Sequence, residues 1–347
     1  MKWWDVSWNP VVGCTPASPG CDNCYAKRLH DQRHRACADG KRIPLCYDEP
    51  FEHVRLFDTR LDAPLRWRKP RRIFVGSMTD LFHPDVPFRF LDRVFATMAL
   101  ASQHTFILLT KRPGLMRAYI KGVQGVSIDS ERDFALFDAW RAVHGEHYGQ
   151  QPWPLPNVWL GVTAETQPMA DERIPILLDT PAAKRFVSIE PQLGPVDVYG
   201  GDPDPRLGGI EAGPGLSLVQ YWTRDGRGPY PGLDWVICGG ETSPHARPMH
   251  PEWARSLRDQ CSAAGVPFFF KQWGEWGHCG NKPSGTPGKY AFGGSDHAPN
   301  LLVQVDQFPR QIDLFGAKVL LERIGSRRAG RLLDGREHND IPEVRHA

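Results

Sequence analysis

The sequence predicts an α/β fold, namely a full or partial (β/α) barrel of about six or seven parallel strands. Two observations support this class. Apolar runs of four to six residues recur between residues 72 and 272, and such runs without polar alternation suit strands that are buried on both faces. Amphipathic segments lie between the runs and are long enough for the helical crossovers that parallel strands require.

The elements follow one another along the chain. Residues 4–14 supply one possible first strand. Further strands are predicted at 73–77, 106–110, 158–163, 185–190, 235–240 and 267–272. Helical patterns occupy 89–101, 114–120, 169–180 and 251–265.

The strand series sets the predicted domain limits. We expect a barrel domain over 1–273, with insertions at 122–156 and 191–232, and a small C-terminal extension over 274–347 that packs on the barrel. The first insertion has a helical pattern at 134–148, and the second is a long Gly/Pro-rich loop. A loop of that length is either functional, such as a lid, or disordered. The extension is expected to form a hairpin followed by a basic end.

Composition restricts the class of protein. Hydrophobic residues make up 41% and charged residues 24% of the chain, and no apolar run approaches a membrane-spanning length. The first ten residues lack the apolar core of a signal peptide, so we expect a cytoplasmic protein without membrane partners. The net charge of +2 does not by itself indicate nucleic-acid binding. In a reducing compartment, a local cysteine cluster is more often metal-binding or catalytic than disulfide-bonded.

Three of the eight cysteines lie close together in the N-terminal segment GCTPASPGCDNCYA. Cys14, Cys21 and Cys24 form a C-x6-C-x2-C array. A structural zinc site needs a fourth ligand, for which the nearby candidates are Cys37, Cys46, His30 and His34. An iron–sulfur cluster held by three cysteines would instead leave one iron open to a small molecule. Buried cysteines without a metal are the third possibility, but the prolines and glycine between them do not suit core packing.

Polar side chains follow the predicted strands. The carboxyl ends of strands carry the site in barrels and open α/β sheets, so a run of such residues favours a functional edge. These residues are Ser77, Asp80, Lys111, Thr163, Glu165, Glu190, Gly240, Glu241, Lys271 and Gln272.

A cysteine triad placed before a parallel β/α series resembles the radical S-adenosylmethionine (SAM) superfamily. More narrowly, three segments resemble an uncharacterised phage and bacterial family of radical-SAM-like proteins with a C-x6-C-x2-C triad. These segments are GC…SPGCDNCYA, VGSMTDLFH and AGRLLDGREHN. The superfamily's usual triad is C-x3-C-x2-C with an aromatic residue just before the last cysteine, whereas here Asn23 precedes Cys24 and Tyr25 follows it.

The resemblance implies a 4Fe–4S cluster on Cys14, Cys21 and Cys24, with SAM and an external electron donor as partners. It also implies cofactor-binding roles. Tyr25 would contact the adenine, Ser77 and Asp80 the amino group, and Lys111 or Arg112 the carboxylate. Thr163, Glu165 and Glu190 would accept hydrogen bonds from the ribose. Gly240 and Glu241, with Lys271, Gln272 and Trp273, are assigned to the substrate.

The implied activity is that of a radical SAM enzyme, which cleaves SAM reductively and abstracts hydrogen from a substrate. A nucleotide or nucleic-acid base is one candidate substrate, because arginine clusters with tryptophan occur at 66–72 and near 327–331. One alternative is a zinc-stabilised nucleic-acid-binding protein without catalysis. A second is a metal-independent hydrolase or lyase that uses Asp80, Glu165, Glu190 and Glu241.

Overall fold

The computed structural model describes residues 2–41, 47–124, 138, 153–198, 220–221, 230–278, 289–292 and 319–343. The strands in chain order are β1 (Val6–Trp8), β2 (Val11–Val12), β3 (Arg55–Leu56), β4 (Arg72–Val75), β5 (Thr105–Thr110), β6 (Val158–Thr163), β7 (Lys184–Ile189), β8 (Gln220–Tyr221), β9 (Tyr230–Pro231), β10 (Trp235–Gly239), β11 (Phe268–Gln272), β12 (Trp276–His278), β13 (Lys289–Phe292) and β14 (Val319–Arg323). The helices are α1 (Tyr25–Ala38), α2 (Phe88–Leu100), α3 (Pro113–Gln124), α4 (Gln167–Leu178), α5 (Pro251–Ala264) and α6 (Ser326–Ala329).

The main sheet is a curled parallel sheet of seven strands in the order β1-β4-β5-β6-β7-β10-β11. Its register brings Val6, Ile73, Phe106 and Val158 side by side across the first four strands. The α/β class and the partial (β/α) barrel are therefore confirmed, with the number of strands at the upper end of the prediction.

Burial explains why the central strands were recognisable. All six residues of β6 are buried, and its bounds coincide with the predicted 158–163. The strand predicted at 73–77 ends at Val75 because Gly76 adopts a left-handed φ of +79°. The N-terminal segment forms two short strands in place of one, since Pro10 interrupts it and has no N–H to donate to a ladder. Of these two, β1 joins the main sheet and β2 pairs antiparallel with β3.

The chain divides into two compact units, each described by itself. The N-terminal unit comprises 2–163, 172–187 and 342–347. In its core, the Trp3 ring packs edge-on against Phe74 at 4.9 Å between centroids. A Cβ at position 161 would lie 2.4 Å from the Phe186 ring, so Gly161 in β6 lets this large ring pack directly on the strand.

The C-terminal unit comprises 164–171 and 188–341. Its β10 and β11 pair in parallel, and α5 follows β10. Trp235 and Phe269 pack edge to face at 6.2 Å. Helix α5 is capped by His250, whose Nδ1 accepts from the Glu252 N–H at 3.1 Å, and it ends at Gly265 with φ +67°.

The described part of the predicted extension packs on β11. The Phe270 N–H donates to the His338 carbonyl at 3.0 Å and the Asp340 N–H to the Phe268 carbonyl at 3.2 Å. Residues 338–340 thus run antiparallel along β11 and cover its outer edge. A separate antiparallel sheet of three strands, in the order β12-β14-β13, also belongs to the extension.

Several predicted features lie outside the described residues. They are the helix at 134–148 apart from residue 138, positions 199–219 and 222–229 of the Gly/Pro-rich loop, and most of 279–318. Within the described ranges, no helix is long and apolar enough to cross a membrane.

Candidate functional site

The three cysteines lie on one loop between β2 and α1, in the N-terminal unit. Cys14 follows Gly13, which has a φ of +105° and passes so close to His53 that a Cβ would meet its carbonyl at 2.3 Å. Cys21 ends a short 3-10 turn that is closed by a bond of 2.8 Å from its N–H to the Ser18 carbonyl. Cys24 is the N-cap of α1, at the positive end of the helix dipole.

The cysteine loop contacts the segment that follows β4. The Gly13 N–H donates to the Met78 carbonyl at 3.1 Å, and the Thr79 hydroxyl donates to the Gly13 carbonyl at 2.6 Å. Cys14 is therefore held beside the segment that follows β4, at the carboxyl edge of the parallel strands. In α/β folds this edge is where ligands bind.

The sulfurs lie in a partly apolar environment. Cys14 and Cys24 pack against one buried cluster, made of Val12, Ala26, Tyr47, Phe51 and Met78. The Ala17 N–H donates to the Cys21 sulfur at 3.4 Å, and Arg112 Nη1 lies 3.6 Å from the Cys14 sulfur. Burial and then the Asp80 charge raise the pKa of the Cys14 thiol, while Arg112 opposes them.

The described residues do not present a closed metal site, since no three His, Cys, Asp or Glu side chains among them converge as a ligand set. The chemistry of the loop nevertheless suits a thiophilic group. Three sulfurs come from eleven consecutive residues, and N–H donors approach two of them. Hydrogen bonds to sulfur are one of the means by which proteins tune iron–sulfur clusters. The donor set therefore fits a cluster with cysteine ligands.

Asp80 and Arg112 tie the cysteine loop to the sheet. Asp80 Oδ1 accepts from the Thr110 hydroxyl at 2.7 Å and the Phe82 N–H at 3.0 Å, while Oδ2 accepts from the Lys111 N–H at 3.0 Å. Oδ2 also accepts from Arg112 Nη1 at 3.2 Å. Asp80, predicted to bind the SAM amino group, is thus occupied by four protein donors.

Arg112 extends from this carboxylate into the loop. Its Nη2 donates to the Thr15 carbonyl at 2.8 Å and to the Thr15 hydroxyl at 3.1 Å. His83 reaches the same hydroxyl, with 2.8 Å between its Nε2 and Thr15 Oγ1. Burial and then the Arg112 cation lower the pKa of His83. Thr15 is therefore the point where side chains from two strand ends hold the cysteine loop.

Tyr25 and Ser77, which the sequence assigns to SAM, lie together in the structure. The Tyr25 hydroxyl donates to the Ser77 carbonyl at 2.6 Å, while 48% of the Tyr25 residue surface remains exposed. The Ser77 side chain exchanges hydrogen bonds with Asn9, at 3.1 and 3.2 Å. The hydroxyl end of Tyr25 is therefore anchored beside the carboxyl end of β4.

The other predicted residues of the N-terminal unit have less specific surroundings. Lys111 is half-buried, and its backbone N–H is bound to Asp80. Thr163 is buried at the end of β6, where its carbonyl accepts from Arg173 at 2.8 Å. Neither contact indicates a ligand.

Within the C-terminal unit, Glu190 and Lys271 form an ion pair at the ends of β7 and β11. Lys271 Nζ lies 2.5 Å from Glu190 Oε1. Gly239 lies beside this pair, and a Cβ there would make ordinary van der Waals contact, at 3.4 Å, with the Glu190 carboxyl carbon and Lys271 Cβ. Glu165 is fully buried, and its carbonyl accepts from the Leu193 N–H at 2.9 Å.

Behind this pair, Cys238 donates its thiol to Gln192 Oε1 at 3.2 Å, and both side chains are buried. Within the described part of the chain, Gln192 Nε2 has no hydrogen-bond partner. Burial, followed by the Glu190 charge, raises the pKa of Cys238 far above its ordinary value. Cys238 is therefore a neutral thiol.

Glu241 is bound by an arginine six residues further on. Arg247 Nη2 lies 2.8 Å from Oε1, and Arg247 Nε and its backbone N–H lie 3.1 and 2.7 Å from Oε2. This fork of donors occupies both carboxylate oxygens in a buried position. The contact orders residues 241–247, whereas the sequence assigned Glu241 to the substrate.

Gly240 is required by close backbone packing. A Cβ at this position would lie 2.0 Å from the Trp273 carbonyl oxygen, and one on Gly274 would lie 2.3 Å from the Glu241 carbonyl. The Gly240 N–H donates to the Gln272 carbonyl at 2.8 Å. The segments after β10 and β11 are thus pressed together, which explains Gly240 without any ligand.

Comparison with known proteins gives a family assignment. A family model described as a protein of unknown function (DUF5131) matches residues 1–342. The chain belongs to the DUF5131 family. No curated protein and no solved structure matches it.

In this DUF5131 protein, Trp273 is fixed by the C-terminal segment that carries part of the sequence resemblance. The Trp273 N–H donates to the Gly330 carbonyl at 3.1 Å, and its indole N–H donates to the Leu332 carbonyl at 2.8 Å. The motif AGRLLDGREHN thus holds a residue assigned to the substrate and covers the β11 edge.

The candidate fourth zinc ligands of this DUF5131 protein lie on α1, apart from Cys46, which is outside the described residues. His30 is buried and packs against Tyr47 and Phe51. His34 Nδ1 is 2.8 Å from the Tyr47 carbonyl. Cys37 is half-buried near the end of the helix. The zinc alternative gains no support from these contacts.

Sequence reasoning overlooked Thr15 and Arg247. Neither lies at a strand end, and nothing in the spacing marks either residue as a partner of Arg112 or Glu241. Arg112 itself was considered only as an alternative to Lys111. The signal that could have found it is its place directly after the polar pair Thr110 and Lys111, where a long cation can reach a loop above the sheet.

Proposed function

We propose that this chain is a radical SAM enzyme whose 4Fe–4S cluster is held by Cys14, Cys21 and Cys24. The observation that carries the proposal is the cysteine loop fastened to the carboxyl edge of β4, through Gly13 and through the contact of Arg112 with Thr15 and Asp80. The loop thereby brings a segment with three cysteines to the carboxyl ends of the parallel strands, where α/β proteins bind ligands.

When bound, the cluster would supply one-electron cleavage of SAM and removal of a hydrogen atom from the substrate. The chain's own residues would position and shield these groups. Tyr25 is half exposed and would contact the adenine, and its bond to the Ser77 carbonyl fixes the position of its hydroxyl. Arg112 keeps a positive charge 3.6 Å from the Cys14 sulfur, where it would offset the negative charge of thiolate ligands.

The C-terminal unit supplies the remaining proposed contacts. Glu190, proposed to accept from the SAM ribose, forms an ion pair with Lys271, proposed to contact the substrate. The Lys271 ammonium carries three N–H groups and suits a substrate edge with hydrogen-bond acceptors. A nucleotide or nucleic-acid base has such edges, and we retain it as the candidate substrate.

The test is anaerobic reconstitution with iron and sulfide, followed by metal analysis and an assay for 5′-deoxyadenosine. We expect about four irons per chain and product formation from SAM. Cys21→Ala should abolish both, because it removes one of three ligands. Cys37→Ala is the matched control, since it removes a thiol from α1 outside the loop and should leave both unchanged. A Cys21→Ala protein that keeps the cluster and forms product would refute the assignment, and one bound zinc per chain would favour the non-enzymatic alternative.

A further inference from the structure

A group of exposed cations lies at the amino-terminal ends of two neighbouring strands of the N-terminal unit. Arg68, Lys69 and Arg71 precede β4, and Lys2 precedes β1. Strands β1 and β4 pair in parallel, so these residues come to the same edge of the sheet. We call Lys2, Arg68, Lys69 and Arg71 the basic edge.

Two hydrogen bonds and an ion pair join the segments that lead into β1 and β4. The Asp5 N–H donates to the Arg72 carbonyl at 2.8 Å, and the Arg72 N–H donates to Asp5 Oδ2 at 2.7 Å. The Asp5 and Arg72 side chains also form an ion pair at 3.4 Å. Lys2 and Arg71 therefore lie on segments that are hydrogen-bonded to each other.

Within the described residues, the cations of the basic edge differ from their neighbours in having no counter-ion. Arg66 pairs with Asp62, and Arg72 pairs with Asp5. Among the residues that the structure describes, no acidic side chain forms an ion pair with any member of the basic edge. Because the whole chain carries a net charge of only +2, this is a local concentration of positive charge.

Aromatic rings accompany two of these cations. The Arg71 guanidinium lies over the Trp67 ring at 5.5 Å from its centroid, and Lys2 Nζ lies over the Trp4 ring at 5.8 Å. The Trp67 carbonyl accepts from Gln103 at 3.3 Å, and the Arg71 carbonyl accepts from the Thr105 N–H at 2.9 Å. The backbone that carries the charges is thereby fixed, so binding does not have to order that backbone.

The basic edge is at the opposite end of β4 from the cysteine loop. Arg71 immediately precedes the strand and Ser77 follows it, and at about 3.3 Å per residue the strand separates them by roughly 15–20 Å. The cations are thus outside the candidate SAM site. They form a second surface on the same unit.

We propose that the basic edge binds the phosphodiester backbone of a nucleic acid. Unpaired arginine and lysine beside indole rings supply the charge and the stacking surface that such binding uses. This surface would bind the polymer at the end of the strands opposite the cysteine loop. It stands independently of the cluster, because its residues touch none of the three cysteines.

The test is fluorescence anisotropy with labelled single-stranded and duplex oligonucleotides over a range of NaCl concentrations. In the R68A/K69A/R71A variant, we expect affinity to fall at least about tenfold and the slope of log K against log salt to lose about 2 for a single strand. The K27A/R93A/R117A variant is the charge-matched control. It removes three surface cations that are paired with acids, and its affinity should change less than about threefold. Arg66→Ala, in the same segment, should behave like the control.

Equal losses in the basic-edge variant and the charge-matched control would overturn the proposal, as would salt-independent binding. Binding to vesicles with anionic lipid in place of either oligonucleotide would also overturn it. Lys69→Glu is a second variant in case the triple variant unfolds, and it should weaken binding several-fold. Cys21→Ala should bind oligonucleotide like the unmodified protein, which separates this result from the fate of the proposed cluster.

Discussion

Replacing Asp80 with asparagine would test whether the Asp80–Arg112 pair holds the cysteine loop. The two carboxylate oxygens accept from Thr110, Phe82, Lys111 and Arg112, at 2.7 to 3.2 Å. Asparagine has the same shape but only one acceptor oxygen, and its amide nitrogen is a donor. At least two of the four donors would lose their partner and face another N–H.

The magnitude follows from burial. Asp80 is 6% exposed and the Arg112 side chain 14% exposed, so the lost partners cannot be replaced freely by water. Leaving one member of a buried ion pair without the other costs about 3–5 kcal/mol. Because Arg112 keeps its two contacts to Thr15, we expect Asp80→Asn to cost about 3 kcal/mol of unfolding free energy. Arg112→Gln should cost less, about 1–2 kcal/mol, since three donors to Asp80 remain.

Two measurements on the metal-free protein check this expectation. Urea unfolding of the single and double variants should give a coupling energy of about 1–2 kcal/mol, because the residues are in direct contact. Alkylation followed by mass spectrometry should show Cys14 reacting several-fold faster in Arg112→Gln, where loss of the cation alone would raise the pKa of the thiol and slow the reaction; buried Cys261 is the internal reference. Asp85→Asn is the matched control, because the Asp85 side chain is 67% exposed. The Asp80–Arg112 pair does not hold the cysteine loop if the two substitutions change the free energy of unfolding additively, within about 0.5 kcal/mol, and the alkylation rate of Cys14 is unchanged.

Two further predictions concern the C-terminal unit. Gly240→Ala should destabilise by about 1–3 kcal/mol or more, because its Cβ would lie 2.0 Å from the Trp273 carbonyl. Gly114→Ala, with nothing within 4 Å, should be neutral or slightly stabilising in thermal unfolding, and equal losses would contradict this reason. Burial lowers the pKa of His250 below 6.5, so the unfolded chain takes up the proton first as pH falls, and stability should decrease with decreasing pH below about 6.5. His250→Asn, which can still accept from Glu252, should show a smaller loss between pH 7 and pH 5, whereas an unaltered pH profile would exclude His250 as a cause.

The main sheet was predictable because its strands are nearly uniform in burial. Residues 158–163 read as a buried strand and form one with all six side chains buried. Errors arose where backbone conformation overrides side-chain pattern. Gly76 ends β4 two residues early with a left-handed φ, and Pro10 divides the N-terminal segment into two strands that join different sheets.

The candidate site was predictable in position and much less so in role. Ser77, Asp80, Glu190 and Lys271 do lie at strand ends, as the parallel pattern requires. Whether such a residue faces a ligand or another side chain depends on partners that are remote in sequence. Asp80 meets Arg112 after a gap of 32 residues, and no local pattern encodes that meeting. A polar residue after a strand is therefore found both where side chains bind one another and where a ligand would bind.

The three segments that carry the family resemblance differ in their structural roles. VGSMTDLFH supplies the carboxylate that anchors Arg112, and AGRLLDGREHN covers the edge of β11 and fixes Trp273. The turn at Cys21 is closed by backbone atoms, and the Cys21 sulfur accepts from the Ala17 N–H. At Cys14, burial beside a carboxylate raises the pKa of the thiol and disfavours the thiolate. The first two segments make structural contacts, whereas the third presents two of its sulfurs to N–H donors, and that difference is why we propose chemistry at the cysteine loop.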